Sequence, residues 1–130
     1  PDYLRCLTLH GFKELFHEEC YDVPRIHHLY TDYSGDVSQL YGKGMTYSKL
    51  LSPEWHRSCD VEHAIAKKEF DVVIYGSVHR GMPFFDKVSA VYSPSEIILL
   101  CGEDLYGPYH NHCPCPFIGQ TQCHLFVREL

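Results

Sequence analysis

The sequence predicts an α/β domain, a three-layer sandwich around a mainly parallel sheet. Three observations carry this. Two short runs, Val72-Val73-Ile74-Tyr75 and Ile97-Ile98-Leu99-Leu100, are apolar without alternation, the pattern of strands buried on both faces. Each run passes into a glycine and a polar loop, Gly76-Ser77-Val78-His79-Arg80-Gly81 and Gly102-Glu103-Asp104. A helical segment, residues 83–92, lies between them. Strand, loop, helix and strand in that order make a unit with adjacent parallel strands. Ligands of such sheets bind outside the carboxyl ends of the strands.

The elements follow in chain order. Leu4, Leu7, Gly11, Phe12 and Leu15 keep helical spacing, so residues 2–16 read as a helix. Its apolar stripe would face a sheet, with Arg5, Lys13 and Glu14 towards water. Residues 19–23 read as a short strand ended by Pro24. Residues 25–51 show no clean period. They contain Tyr30, Tyr33, Tyr41 and Tyr47, with Gly35, Gly42 and Gly44, and read as a long loop with one helical turn. Loops of this length in compact domains are often functional; the plainer account is that the tyrosines cover one edge of the sheet. Asp60 can cap a helix over residues 61–69. Residues 70–75 form the next strand. Pro83 suits the first position of a helix with apolar Phe84, Phe85, Val88 and Val91, which Ser93-Pro94-Ser95 ends. Residues 96–101 form a strand, 102–122 a second long loop, and 123–130 a final strand. In that strand His124, Phe126 and Arg128 lie on one side, Leu125 and Val127 on the other.

Bulk properties bound the function. A chain of 130 residues with 45% hydrophobic and 22% charged residues fits one globular domain. The net charge is −6 and no Lys/Arg cluster appears, which argues against nucleic acid as partner. No apolar run reaches the length of a membrane span, so no membrane partner is expected. Seven cysteines cannot all pair within one chain. Cys6 and Cys101 read as reduced core residues, which suggests a reducing, cytoplasmic compartment. The chain opens with Pro1-Asp2-Tyr3-Leu4 directly inside a helix. Two readings fit: a fragment of a longer protein whose first strand is missing, or a helix-first domain.

The candidate site lies in the loops after the two central strands. Residues 76–81, with Ser77, His79 and Arg80, lead to the expected helix start at Pro83, where unpaired N–H groups attract anions, and Arg80 offers a fork for phosphate or carboxylate. Glu103 and Asp104 would face this loop across the crevice. They could hold a sugar hydroxyl or a metal, act as a base, or form a structural ion pair with Arg80, the reading weighed higher. The Gly76–Gly81 spacing matches a nucleotide-triphosphate loop, but Met82-Pro83 stands where Lys and Ser/Thr are required, so that motif is rejected. Ser77 lacks the setting of a nucleophile elbow. Gly42-Lys43-Gly44 has no preceding strand. The cluster His110-Asn111-His112-Cys113-Pro114-Cys115, followed by Cys123-His124, carries zinc-type ligands. One residue between Cys113 and Cys115 is too few for the usual structural site, so no metal is expected.

Taken together, several segments resemble an uncharacterised family of Rossmann-like domains in glycosyltransferase-like proteins. They are Asp2-Tyr3-Leu4 with His10-Gly11-Phe12, residues 40–46, residues 70–80, Gly102-Glu103-Asp104, and residues 126–130. The resemblance covers most of the chain and departs from the pattern after Asp104. It implies an N-terminal-type half of a larger protein and assigns no catalytic residue. A two-domain glycosyltransferase needs a second α/β half, so this chain alone is expected to be inactive. The expected ligand is small and anionic or sugar-like, bound by Ser77, His79, Arg80, Glu103 and Asp104. The alternatives are a non-enzymatic interaction domain with structural cleft charges, or a metal-stabilised domain using the Cys/His-rich loop.

Overall fold

The computed structural model describes residues 3–40, 47–102, 117 and 119–127. The chain forms two compact units, Pro1–Cys59 and Asp60–Leu130.

The second unit is a small α/β structure with a three-stranded, all-parallel open sheet. It opens with helix α1 (Val61–Ala66), whose N-cap Asp60 accepts from the His63 N–H at 3.1 Å. The sequence predicts this helix to reach residue 69. It stops earlier because Lys68 turns left-handed (φ 52°). The Lys68 N–H then bonds the Ile65 carbonyl and the Glu69 N–H the Ala64 carbonyl, the paired closure of a Schellman motif on a non-glycine residue. Strand β1 (Val73–Tyr75) is shorter than the expected 70–75. The Phe70 N–H is taken by the Tyr92 hydroxyl at 3.1 Å instead of a ladder. Helix α2 (Phe85–Val91) follows, then strand β2 (Ile97–Cys101) and strand β3 (His124–Val127). Residues 128–130 of the expected last strand, Arg128 among them, lie outside the described residues.

The adjacency read from the two apolar runs is present. Val73, Ile74 and Tyr75 pair in parallel with Ile97, Ile98 and Leu99. Strand β3 adds on the far side of β2, with Leu99 opposite Leu125 and Cys101 opposite Val127. Side chains alternate across a sheet, so Val73, Tyr75, Ile97, Leu99, Cys101, Leu125 and Val127 share one face. Ile65 of α1 and Val88 of α2, with Tyr92 just beyond it, pack there to close the core. Both helices therefore cover the same face. Ile74, Ile98, Leu100 and Phe126 lie on the other, where Phe126 is 60% exposed. Ion pairs Lys87–Glu62 and Lys68–Glu96 brace the helical side.

Among its described residues the first unit has helix α3 (Tyr3–Phe16) and four single 3-10 turns, His17–Glu19, His27–Leu29, Val37–Gln39 and Pro53–Trp55. A parallel bridge joins Tyr30 to Leu51. Its core is Cys6, Ile26, Leu29, Tyr30 and Leu51, with Leu9, Tyr47 and Trp55 packed against it. Three expectations are corrected here. The buried line on α3 runs Cys6–Leu9–Lys13, whereas Leu7 and Leu15 of the expected stripe are exposed. Lys13, expected in water, is fully buried. Residues 20–23 form no strand, because the Asp22 side chain turns inward to bond the Tyr30 hydroxyl and the Ile26 N–H. The loop character of residues 25–40 and 47–51 holds, but Tyr30 is a core residue of this unit. Tyr41, Gly42, Lys43 and Gly44 lie outside the described residues.

Candidate functional site

The carboxyl ends of β1 and β2 meet in one small loop system. After Tyr75 the chain passes Gly76 and an extended Ser77, then makes one 3-10 turn over Val78–Arg80. The Arg80 N–H bonds the Ser77 carbonyl at 3.1 Å and closes the turn. Gly81 leaves it at φ 117°, ψ 154°, backbone open in practice only to glycine. The turn is fastened at three points. Val78 is buried in the core. The Tyr75 hydroxyl donates to the Pro83 carbonyl at 3.0 Å. His79 Nε2 lies 3.0 Å from Cys101 Sγ, the last residue of β2. That contact draws the loop after β1 across to the end of β2.

Ser77, His79 and Arg80 are thus gathered at the carboxyl edge of the sheet, with Ser77 buried, His79 half-buried and Arg80 exposed. Cys101 joins them as an unexpected member, because nothing in the sequence links it to a residue 22 positions earlier. Glu103 and Asp104 lie outside the described residues, as does the cluster from His110 to Cys115. Cys123 is partly buried against the core and His124 is exposed on β3. Among the described residues no three His, Cys, Asp or Glu side chains group closely enough to hold a metal ion.

The helix start needs correction. Pro83 is not the first helical residue; α2 begins at Phe85, after a left-handed Phe84 (φ 60°). The Tyr75–Pro83 hydrogen bond holds the chain at the end of β1, and Phe84 packs against the core. No long helix terminus stands at this edge, and within the turn the Arg80 and Gly81 N–H groups are taken by the Ser77 and Val78 carbonyls, which leaves the Arg80 guanidinium as its cationic group. Cys101 is 1% exposed, so its thiol is placed to share a proton with His79 and to anchor the turn, not to attack a ligand. Burial pushes the Tyr75 phenol up to about 12, which keeps it a neutral donor to Pro83.

A second polar cluster lies inside the first unit. Asp22 accepts from the Tyr30 hydroxyl (2.8 Å), the Ile26 N–H (3.2 Å) and His56 Nδ1 (3.2 Å), with Lys13 Nζ at 3.4 Å. Lys13 also donates to the Trp55 carbonyl at 2.6 Å. Burial alone would push the Asp22 carboxyl up. The hydrogen bonds from Tyr30 and His56, the Lys13 charge and the Ile26 N–H outweigh it and hold the carboxyl below its ordinary value. Burial and the Asp22 hydrogen bond push the Tyr30 phenol up. With three members almost fully enclosed, the cluster ties α3 to the segments around residues 22–30 and 55–56. Sequence reasoning missed Lys13, although its place seven residues after Cys6 and four after Leu9 puts it on their face.

Comparisons of the chain with protein-family models, with curated proteins and with solved structures give no match, so the reading of its function rests on its own residues.

Proposed function

We propose that residues 60–130 form a Rossmann-like ligand-binding unit of a glycosyltransferase-like protein. Its site is the carboxyl edge of the parallel sheet, and its ligand is small and anionic or sugar-like, a nucleotide-sugar being the fullest example. In this reading the face bearing Ile74, Ile98, Leu100 and Phe126 takes a further layer and completes a three-layer sandwich.

The observation that carries the reading is the 3.0 Å contact between His79 and Cys101. It supports a site because it brings the Ser77–Arg80 turn over the ends of two adjacent parallel strands, where ligands of such sheets bind. Arg80 is the group suited to a phosphate, through charged hydrogen bonds. No residue is assigned a catalytic step.

The test is calorimetric titration of the protein with uridine diphosphate glucose, uridine diphosphate and inorganic phosphate, with amide shifts of residues 76–81 followed by NMR. We expect saturable binding of at least one of the three, weakened by Arg80→Ala by about 1–3 kcal/mol. No heat and no amide shift with any of them, or binding that Arg80→Ala leaves unchanged, overturns the reading. That outcome favours a non-enzymatic interaction domain, to which the exposure of Val72 and Phe126 already lends some support.

A further inference from the structure

The long loop of the first unit holds a concavity that the proposed function does not use. It has a volume of about 310 Å³ and is lined by Arg25, His27, Asp32, Tyr33 and Ser34. This is the lower end of the range for small-molecule sites, about 300–1,000 Å³. We propose that it is a binding site for a small neutral polyhydroxylated ligand of the saccharide type. The proposal is independent of the site at the sheet edge.

The walls are held in place before any ligand arrives. Arg25 Nη2 donates to both carboxylate oxygens of Asp32, at 2.9 and 3.0 Å. Its guanidinium also lies 4.3 Å from the ring centroid of Tyr30, a core residue with no exposed surface. Stacking on a buried ring fixes a side chain that would otherwise sample many rotamers. Tyr33 meets the His28 ring edge-on, with centroids 6.5 Å apart at 77°. Its hydroxyl lies over Gly35, where an added Cβ would stand 2.3 Å away and push the phenol aside. The 3-10 turn His27–Leu29 and the bridge from Tyr30 to Leu51 shape the loop beneath these contacts.

Charge selects the ligand class. Arg25 and Asp32 neutralise each other, so an anion entering the concavity meets the Asp32 carboxylate and a cation meets the guanidinium. A neutral diol uses both. One hydroxyl donates to the carboxylate, which has lone pairs beyond those taken by Nη2, while its neighbour accepts from the guanidinium. Arg25 Nη1 keeps N–H donors that Asp32 does not take, whereas Nε is covered by the protein and out of a ligand's reach. The Ser34 hydroxyl can give or take a further hydrogen bond, and Tyr33 and His27 add aromatic rings to the lining, a surface suited to the C–H side of a sugar. Many adjacent hydroxyls on a small neutral frame are what this set of groups can satisfy together.

The experiment is an amide-shift titration of the full chain with methyl glycosides of glucose, galactose and mannose, alongside sodium phosphate and sodium acetate. At least one glycoside is expected to saturate shifts in residues 25–35 with a Kd on the order of 1 mM, ordinary for a single sugar in a shallow site. Asp32→Ala should weaken that binding about tenfold, with the amides of α3 unmoved as the check on folding. Gly35→Ala, which displaces Tyr33 and leaves the Arg25–Asp32 pair, should weaken it too. Three outcomes overturn the proposal: no saturable shift with any glycoside, binding to Asp32→Ala as tight as to the unaltered chain, or tighter saturation of the same amides by phosphate or acetate.

Discussion

Asp22→Asn isolates the polar cluster of the first unit. The substitution keeps the shape of the side chain but removes its charge. Lys13, with no exposed surface, then keeps the Trp55 carbonyl but loses its counter-charge. The amide also puts an N–H₂ in place of one of the two oxygens, so it confronts either the Ile26 N–H on Oδ2 or the Tyr30, His56 and Lys13 groups on Oδ1. Breaking a buried pair from one side costs about 3–5 kcal/mol, because the other charge stays buried without compensation. Whole domains are stable by only about 5–15 kcal/mol, so the first unit should lose a large part of its stability. Lys13→Met alone is expected to cost less, since Asp22 keeps Tyr30, His56 and the Ile26 N–H. Lys13→Met combined with Asp22→Asn should recover part of the loss, as no buried cation remains. Urea unfolding read through fluorescence measures this in the right place, because Trp55 is the single tryptophan and packs on this core. The reasoning is refuted if Asp22→Asn lies within about 1 kcal/mol of the unaltered chain, or if the double variant is no more stable than Asp22→Asn. The sign of the pH dependence follows from the lowered Asp22 carboxyl. Its contribution is fully present above the unfolded value of about 4 and is lost as pH falls through the folded value below that.

Two further outcomes concern the second unit. Gly81→Ala meets no atom within 4 Å, so its whole cost comes from φ 117°. A loss of about 1–3 kcal/mol is expected in thermal or urea unfolding, and a neutral result would show that the turn relaxes freely. Tyr75, raised to about 12 from 10.0, contributes stability that is fully present below pH 10 and is lost as pH rises through 12. Tyr75→Phe should flatten the stability profile between those values, and an unchanged slope would remove Tyr75 as its cause.

The parts of the fold legible in the sequence are those where one local signal decides. The runs at 72–75 and 97–100 are apolar without alternation, and only a parallel sheet interior suits them. Glycines at 76 and 81 mark the turn that holds Ser77, His79 and Arg80, so their place at the carboxyl edge could be read in advance. The Asp60 cap was legible for the same reason. What could not be read depends on distant partners. Lys13 looks like a surface residue until Asp22 folds inward against it, and that same turn abolishes the strand expected at 19–23. Pro83 is a good first helical residue by itself, but Tyr75 takes its carbonyl and delays the helix to Phe85. The His79–Cys101 contact has no sequence signature, since it depends on the β1–β2 register.

The all-parallel order of β1, β2 and β3 also bears on how the second unit assembles. Each new strand must re-enter the sheet at the end where the last one began, so each pairing waits on a loop closure. Between β1 and β2 that return takes residues 76–96 and carries α2, whose Val88 lies in the core. Between β2 and β3 it takes residues 102–123, almost the same length. Loop entropy therefore favours neither pairing over the other. Strand β2 is paired on both sides and β1 and β3 on one each among the described residues. The outer strands are accordingly where solvent exchange and local opening begin, and the amides of β2 exchange last.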